Sequence, residues 1–301
     1  MKAKKKGSFR YQPVQDKVFD VINTSLMLLI AIVIFYPLYY VLLASFTDPY
    51  IVQKGKILLW PTSVYWGGYN RIMDYAPIWR GYLNTLIYTG LGTVIAILVT
   101  MFGAYPLSRK DMPMRTPLML LFSFTMFFSG GLIPTFLLVK QLNLYNTLWA
   151  IILPSACSVW NLIICRTFYE STINGELLDA ANIDGCNDFD FFFRIALPLS
   201  KTLIAVMVIY YASGKWNEYF SSMIYLRDSD KYPLQLVLRS LLLQSNVADI
   251  TSDEADVIYR QKVAEQLKYS IIVVSIVPMF VFYPFMQKHF TKGIMVGSLK
   301  G

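Results

Sequence analysis

The chain has 301 residues, 55% of them hydrophobic and only 15% charged, with a mean hydropathy of +0.46. Soluble domains carry roughly a quarter of their residues as charges, so this composition excludes an ordinary soluble domain and points to an integral membrane protein. The net charge of +8 does not call for nucleic acid, because basic residues at span ends account for much of it, while a single histidine, His289, and three scattered cysteines, Cys157, Cys165 and Cys186, exclude histidine-based catalysis, a metal cluster and a disulfide framework.

The first 20 residues carry Lys2, Lys4, Lys5, Lys6, Arg10 and Lys17. They precede a charge-free run over 21–47 that is far longer than the ~7–15-residue core of a secretory signal, so it is read as a retained membrane helix. Crossing a bilayer takes about 20 apolar residues. On that measure five more spans are expected, over 81–108, 116–139, 141–165 (the helix starting near Thr147), 202–226 and 269–287. The expected fold class is an all-α integral membrane protein with six transmembrane helices, and no strand-rich soluble domain is apparent.

Basic residues orient the spans. Arg109, Lys110, Arg115, Arg166, Arg194, Lys201, Lys288, Lys292 and Lys300 fall on the same side as the basic N-terminus, making fifteen of the 27 Lys and Arg. Both termini are therefore expected in the cytoplasm. The expected organisation is a cytoplasmic N-terminus over 1–20, a six-helix domain over 21–290 and a cytoplasmic tail over 291–301. The domain has a cytoplasmic loop over 170–198 and two long outside loops over 48–80 and 227–268, which read either as surface connections or as a surface for an outside partner.

The chemistry is limited. No phosphate-cradling G-x-x-x-x-G-K-[ST] loop, no Ser-His-Asp set and no H-E-x-x-H occurs, so catalysis by this chain alone is not expected. Ser129-Gly130-Gly131 lies inside the third apolar run and reads as a small-residue patch or a helix break. In the fifth span Lys215 and Glu218 share a helix face, with Trp216, Asn217 and Tyr219 beside them. Charges at that depth face a bundle interior or a wet cavity, and an aromatic with amide and carboxylate groups suits a sugar. The alternative is that both charges snorkel to the outer interface. Asn84, Tyr88, Thr89 and Thr93 line one face of the second span, either bonding neighbouring helices or lining a pathway.

The most informative stretch is 176–198, ELLDAANIDGCNDFDFFFRIALP. It is a polar island between apolar spans, with a short helix over 176–182, two adjacent alanines, Ala180 and Ala181, and a stop at Asp184-Gly185, where glycine takes the left-handed conformation at little cost. A second amphipathic helix follows, with Phe189, Phe192, Phe193 and Ile195 at helical spacing. A flat alanine face suits docking against a partner protein.

Glu176-Leu177, Ala180-Ala181, Ile183-Asp184-Gly185, Phe192, Ile195 and Leu197-Pro198 together resemble the EAA loop of bacterial ABC-importer permeases. One departure is Cys186, where that family usually has Ala. Trp216-Asn217-Glu218-Tyr219-Phe220, Tyr232-Pro233-Leu234-Gln235 and the ending KGIMVGSLKG are similar to the maltose-type carbohydrate uptake branch. The resemblance covers essentially the whole chain and is strongest from Trp160 onward.

The resemblance implies a type I ABC-importer permease fold in the bacterial cytoplasmic membrane. It implies a coupling helix seated on a cytoplasmic ATPase through Glu176, Ala180, Ala181, Asp184 and Gly185, and a tail reaching the same partner through Lys292, Gly293, Gly297 and Lys300. The implied substrate-pathway residues are Trp216, Asn217, Glu218, Lys215 and Tyr88. The loop around 241–256 stands where the family's loop enters the binding protein's sugar cleft. The implied partners are a second homologous permease, two ATPase subunits, an extracytoplasmic solute-binding protein, an oligosaccharide (neutral or acidic) and the lipid bilayer. No cofactor is expected on this chain, with ATP and magnesium on the ATPase. An ATP-independent secondary transporter or channel is the alternative, and it would favour an internal repeat, of which none is evident.

Overall fold

A computed structural model describes residues 14–281 apart from 56–59, 62, 174 and 248–265. Among the described residues the secondary structure is helical, and extended pairing is confined to an isolated bridge between Thr47 and Val64. The chain divides into two compact units, residues 1–71 with 248–273 and residues 72–247 with 274–301.

In the first unit, α1 (Val14–Ala44) runs for 31 residues, and only 6% of its most apolar stretch is buried. A helix that is apolar all round and left this bare needs lipid or partner helices around it. Its last turns do pack, with Leu43 and Ala44 meeting Val52 of α2 (Pro49–Gln53), whose first turn is capped by the Asp48 carboxylate accepting from the Tyr50 amide at 2.9 Å. The opening turns of α14 (Gln266–Val281) close this unit. Gln266 accepts from the Gly68 amide at 2.7 Å and Ser270 donates to the Ser45 carbonyl at 3.0 Å. Gly68, at the start of α3 (Gly67–Asp74), permits that approach, since a Cβ there would lie 2.6 Å from the Ser270 hydroxyl oxygen.

The second unit is built on α4 (Ala76–Ser108), 33 residues long and free of charge after Arg80. At 1.5 Å per residue it is about 50 Å long, ample for a hydrocarbon core of about 30 Å. Its small residues, Gly92, Ala96, Thr100 and Ala104, are all buried and form a lane on which neighbours approach closely. Packed on α4 are α8 (Val159–Thr172), α11 (Lys201–Trp216) and α13 (Leu234–Val247). The core shared by α4, α8 and α11 includes Met101, Tyr105, Leu162, Cys165, Tyr169, Leu203 and Met207, and the Thr100 and Tyr211 hydroxyls join α4 to α11 at 2.6 Å.

Three expected spans are interrupted. The run over 116–139 is two helices, α5 (Arg115–Phe127) and α6 (Leu132–Gln141), bent by 115°. The bend falls at Gly130-Gly131, where Gly131 sits at φ +85° and its carbonyl accepts from Thr135 at 2.8 Å, so the glycines are a helix break. The run over 141–165 holds a single turn, α7 (Trp149–Ile152), and α8 begins afresh after Pro154, capped by Ser158. The run over 202–226 breaks at Asn217 between α11 and α12 (Phe220–Tyr225). By length and composition α1 and α4 alone cross a membrane as unbroken helices among the described residues, and the sixth run's expected end at 287 lies outside them.

Candidate functional site

The polar island forms α9 (Gly175–Ile183), a turn, and α10 (Asp188–Leu199). The turn is closed by two backbone bonds, Gly185 N–H to Asn182 O at 3.1 Å and Cys186 N–H to Ala181 O at 2.9 Å, with Gly185 at φ +76°. That pair of bonds around a left-handed glycine is a Schellman cap, which satisfies the last carbonyls of α9. Two residues later Asn187 accepts from the Asp190 amide at 2.9 Å and so starts α10. Within α10 the backbone widens by one residue over 192–196, which brings adjacent Phe191 and Phe192 inward together, at 1% and 4% exposure.

The two alanines of α9 have opposite fates. Ala181 is 6% exposed and belongs to the core that includes Tyr105, Tyr169 and Phe191, with Leu178 packed beside it. Ala180 is exposed, on the stripe Glu176–Ala180–Ile183 that recurs at i, i+4 and i+7. Expecting Ala181 at a partner-facing surface is therefore a correction, because a step of one residue turns a side chain through about 100°. Ile183 is 86% exposed and Phe189 75%, so one large apolar side chain stands out beside Ala180 and the exposed Asp184, and a second at the start of α10. Phe189 does not join the inward face expected from spacing, and Phe193 is also half out. Exposed apolar groups of this size next to charges mark a contact surface. Ile183 was a motif residue in the sequence without an assigned role. Its signal is position, seven residues after Glu176 on one stripe.

The second constellation, around Lys215, is interior. Lys215 is 7% exposed, and its ammonium donates to the carbonyls of Ile151 and Ile152 at 3.3 and 3.4 Å and to the Ser155 hydroxyl. Its stem lies on Gly92, where a Cβ would come within 3.0 Å of Cε. The cation thus satisfies carbonyls freed where α7 ends, from a buried position rather than by snorkelling. Trp216 is 3% exposed, donates from Nε1 to the Ser275 carbonyl at 3.3 Å and packs near Tyr82, so its ring is taken. Glu218 accepts from the Ser221 amide at 3.1 Å and caps α12. Asn217 is exposed and bonds back to the Ser213 carbonyl at 2.9 Å. The expectation that Lys215, Trp216, Asn217 and Glu218 form a sugar cluster gives way to a helix break held by its own side chains.

Tyr88 is likewise a tether, donating to the Lys231 carbonyl at 2.8 Å, while Asn84 donates to the Asp230 and Tyr232 carbonyls and Thr85 accepts from the Leu234 amide at 2.8 Å. These bonds tie α4 to the turn over 228–234. The same turn is knotted to Asn146, whose amide oxygen accepts from the Arg227 and Asp228 amides and whose NH2 donates to the Asp228 carboxylate at 2.7 Å. Hydrogen bonding from Asn146, and then from Lys231, holds the Asp228 carboxyl below its ordinary value of 3.8. A depressed carboxyl stabilises the folded form above its ordinary pKa and loses that contribution as pH falls through the folded value. The thermal midpoint of the protein is expected to exceed that of Asp228→Asn at pH 7, with the gap closing below pH 3.8. A gap that stays constant with pH removes the carboxylate from the knot. The expected tail contacts Lys292, Gly293, Gly297 and Lys300 lie outside the described residues.

Residues 92–296 match the family model described as binding-protein-dependent transport system inner membrane component. The chain is 39% identical over 289 residues to the polygalacturonan/rhamnogalacturonan transport system permease protein YtcP of Bacillus subtilis (strain 168), covering 96% of this chain and 100% of that one. It is 37% identical to protein LplC of the same organism over 95% of this chain and 96% of that one. Among solved structures it is similar to a chain of a bacterial ABC transporter involved in the import of the acidic polysaccharide alginate, with a TM-score of 0.81 and 30% identity, over 93% of this chain and 99% of that one.

Proposed function

Because this chain belongs to the binding-protein-dependent transport system inner membrane components, and is thereby the permease subunit of an ABC importer with the type I fold, we propose that it carries an acidic oligosaccharide from an extracytoplasmic binding protein into the cytoplasm. The observation that carries the substrate class is that a 39%-identical relative is named for polygalacturonan, a uronic-acid polymer, and that a structural neighbour belongs to an alginate importer.

On this reading both termini lie in the cytoplasm, and α9 with its Schellman turn seats in a cytoplasmic ATPase subunit. Glu176, Ala180, Asp184 and Gly185 form the docking face, joined by Ile183 and Phe189. ATP and its magnesium ion belong to two ATPase subunits, which supply hydrolysis, and a second homologous permease completes the membrane part. Ala181 and Leu178 have a different task, fastening the back of α9 to the core that α4, α8 and α10 share. Close-packed interiors transmit displacement rather than absorb it. A push on α9 therefore reaches α4 and α8 directly, and through α10 it reaches α11, which leaves α10 at 77° across Ser200. Such a switch requires contacts that differ between the inward and outward states.

The test is a substrate panel on the reconstituted transporter with its binding protein. Oligogalacturonides are expected to stimulate ATP hydrolysis, and the carboxyl-reduced, neutral oligomers are expected not to. Stimulation by the neutral oligomers alone removes the acidic class, and hydrolysis coupled to neither removes the saccharide reading.

A further inference from the structure

We propose that the cleft where α5 begins against α8 binds an anionic phospholipid, with its phosphate on Arg115 and Arg166 and an acyl chain along Met119, Leu120 and Ile163. The cleft encloses about 420 Å³, within the usual range of about 300–1,000 Å³ for ligand sites.

Charge is the first argument. Arg115 and Arg166 both donate to the same oxygen of Glu170, Arg166 at 2.7 Å, and Arg166 also reaches the Leu107 carbonyl from Nε at 3.0 Å. One carboxylate thus faces two guanidiniums, and no acidic side chain lines the cleft itself. An excess positive charge remains beside it. Each guanidinium offers five N–H donors, so most of the donors in the pair are still available, and the two side chains are 24% and 21% exposed, open enough to receive a ligand. A guanidinium fork matches a phosphate in shape as well as charge.

The second argument is the change of character along the cleft. Arg115 and Thr116 form its polar end. One turn further along α5 come Met119 and Leu120, the latter 66% exposed, with Ile163 across from them on α8 and the small Ser123 beyond. A cationic end that passes within one turn into an apolar wall fits an amphiphile with an anionic head, and a bare inorganic anion would leave the wall uncovered. The family places this chain in a bilayer, where anionic phospholipids have that form, and basic pockets between membrane helices take anionic head groups. The inference rests on the membrane location and is independent of the cargo.

Native mass spectrometry on the full chain, released from nanodiscs of mixed phosphatidylglycerol and phosphatidylcholine, reads the site directly. Phosphatidylglycerol is expected to be retained over phosphatidylcholine. Arg115→Gln should lower its retention about fivefold, the worth of one basic residue near an anionic head group, and Arg115→Lys should keep most of it. Glu170→Gln should raise retention of phosphatidylglycerol and leave that of phosphatidylcholine unchanged, a selective gain that a loss of folding does not give. Equal retention of the two lipids, or indifference to both Arg115→Gln and Glu170→Gln, overturns the site. Displacement of the lipid by millimolar inorganic phosphate also overturns it, assigning the cleft to a free anion.

Discussion

Ala180→Glu is expected to leave the chain inserted at wild-type level and to cut substrate-stimulated ATP hydrolysis of the assembled transporter by tenfold or more. Its neighbour Ala181→Glu is expected to prevent the chain from accumulating. Ala180 stands on the exposed stripe of α9 beside Ile183. A carboxylate there costs the isolated chain only about 0.2–0.5 kcal/mol, through repulsion from Glu176 one turn away, but in a docked interface it becomes an unpaired, desolvated charge, costing several kcal/mol, while about 1.4 kcal/mol already makes a factor of ten. Ala181 is 6% exposed within the aromatic core. A carboxyl there must be buried without a partner, a loss of several kcal/mol against a total stability of about 5–15 kcal/mol. Abundance in membranes and ATPase coupling, measured for both variants, separate the two faces. Wild-type coupling in Ala180→Glu sinks the docking face, and wild-type abundance of Ala181→Glu sinks the buried one.

The second large effect is at Lys215. Lys215→Ala removes the donor to Ile151, Ile152 and Ser155 and leaves a void beside Gly92. Leaving buried carbonyls without their donor costs about 1–3 kcal/mol, and the void adds to it, so the purified chain is expected to unfold at a clearly lower temperature. Lys215→Met restores volume without the donors and should fall between the two. If Lys215→Ala instead melts with the wild type and loses only transport, the side chain belongs to the substrate route after all.

These cases show what the sequence could carry. The turn at Asp184-Gly185 was legible because a left-handed residue has a chemical signature. The membrane class was legible because the long runs are nearly free of charge. The opposite fates of Ala180 and Ala181 were not, since identical neighbours differ only in which way the helix is rotated, and the core under α9 sets that rotation. Nor were the partners of Lys215. They are mostly backbone carbonyls some sixty residues away, and a carbonyl leaves no mark in a residue pattern. Trp216 is held in the same way, by the Ser275 carbonyl, whereas Glu218 bonds locally to an amide of the next helix. The break at Gly130-Gly131 was visible as a possibility of composition, but its 115° bend depends on a dihedral angle.

Gly185 also carries a constraint of handedness. At φ +76° nothing lies within 4 Å of where its Cβ would be, so there is room for a side chain and no steric contact to forbid one. What disfavours other encoded residues is chirality, because an L side chain in this conformation crowds the following carbonyl at roughly 1–2 kcal/mol, a cost that Met114, Asn143 and Asn146 bear elsewhere in this chain. A D-alanine placed there by chemical synthesis would escape the chiral cost and would narrow the unfolded ensemble besides. Glycine fills this position because it is the one encoded residue without a hand.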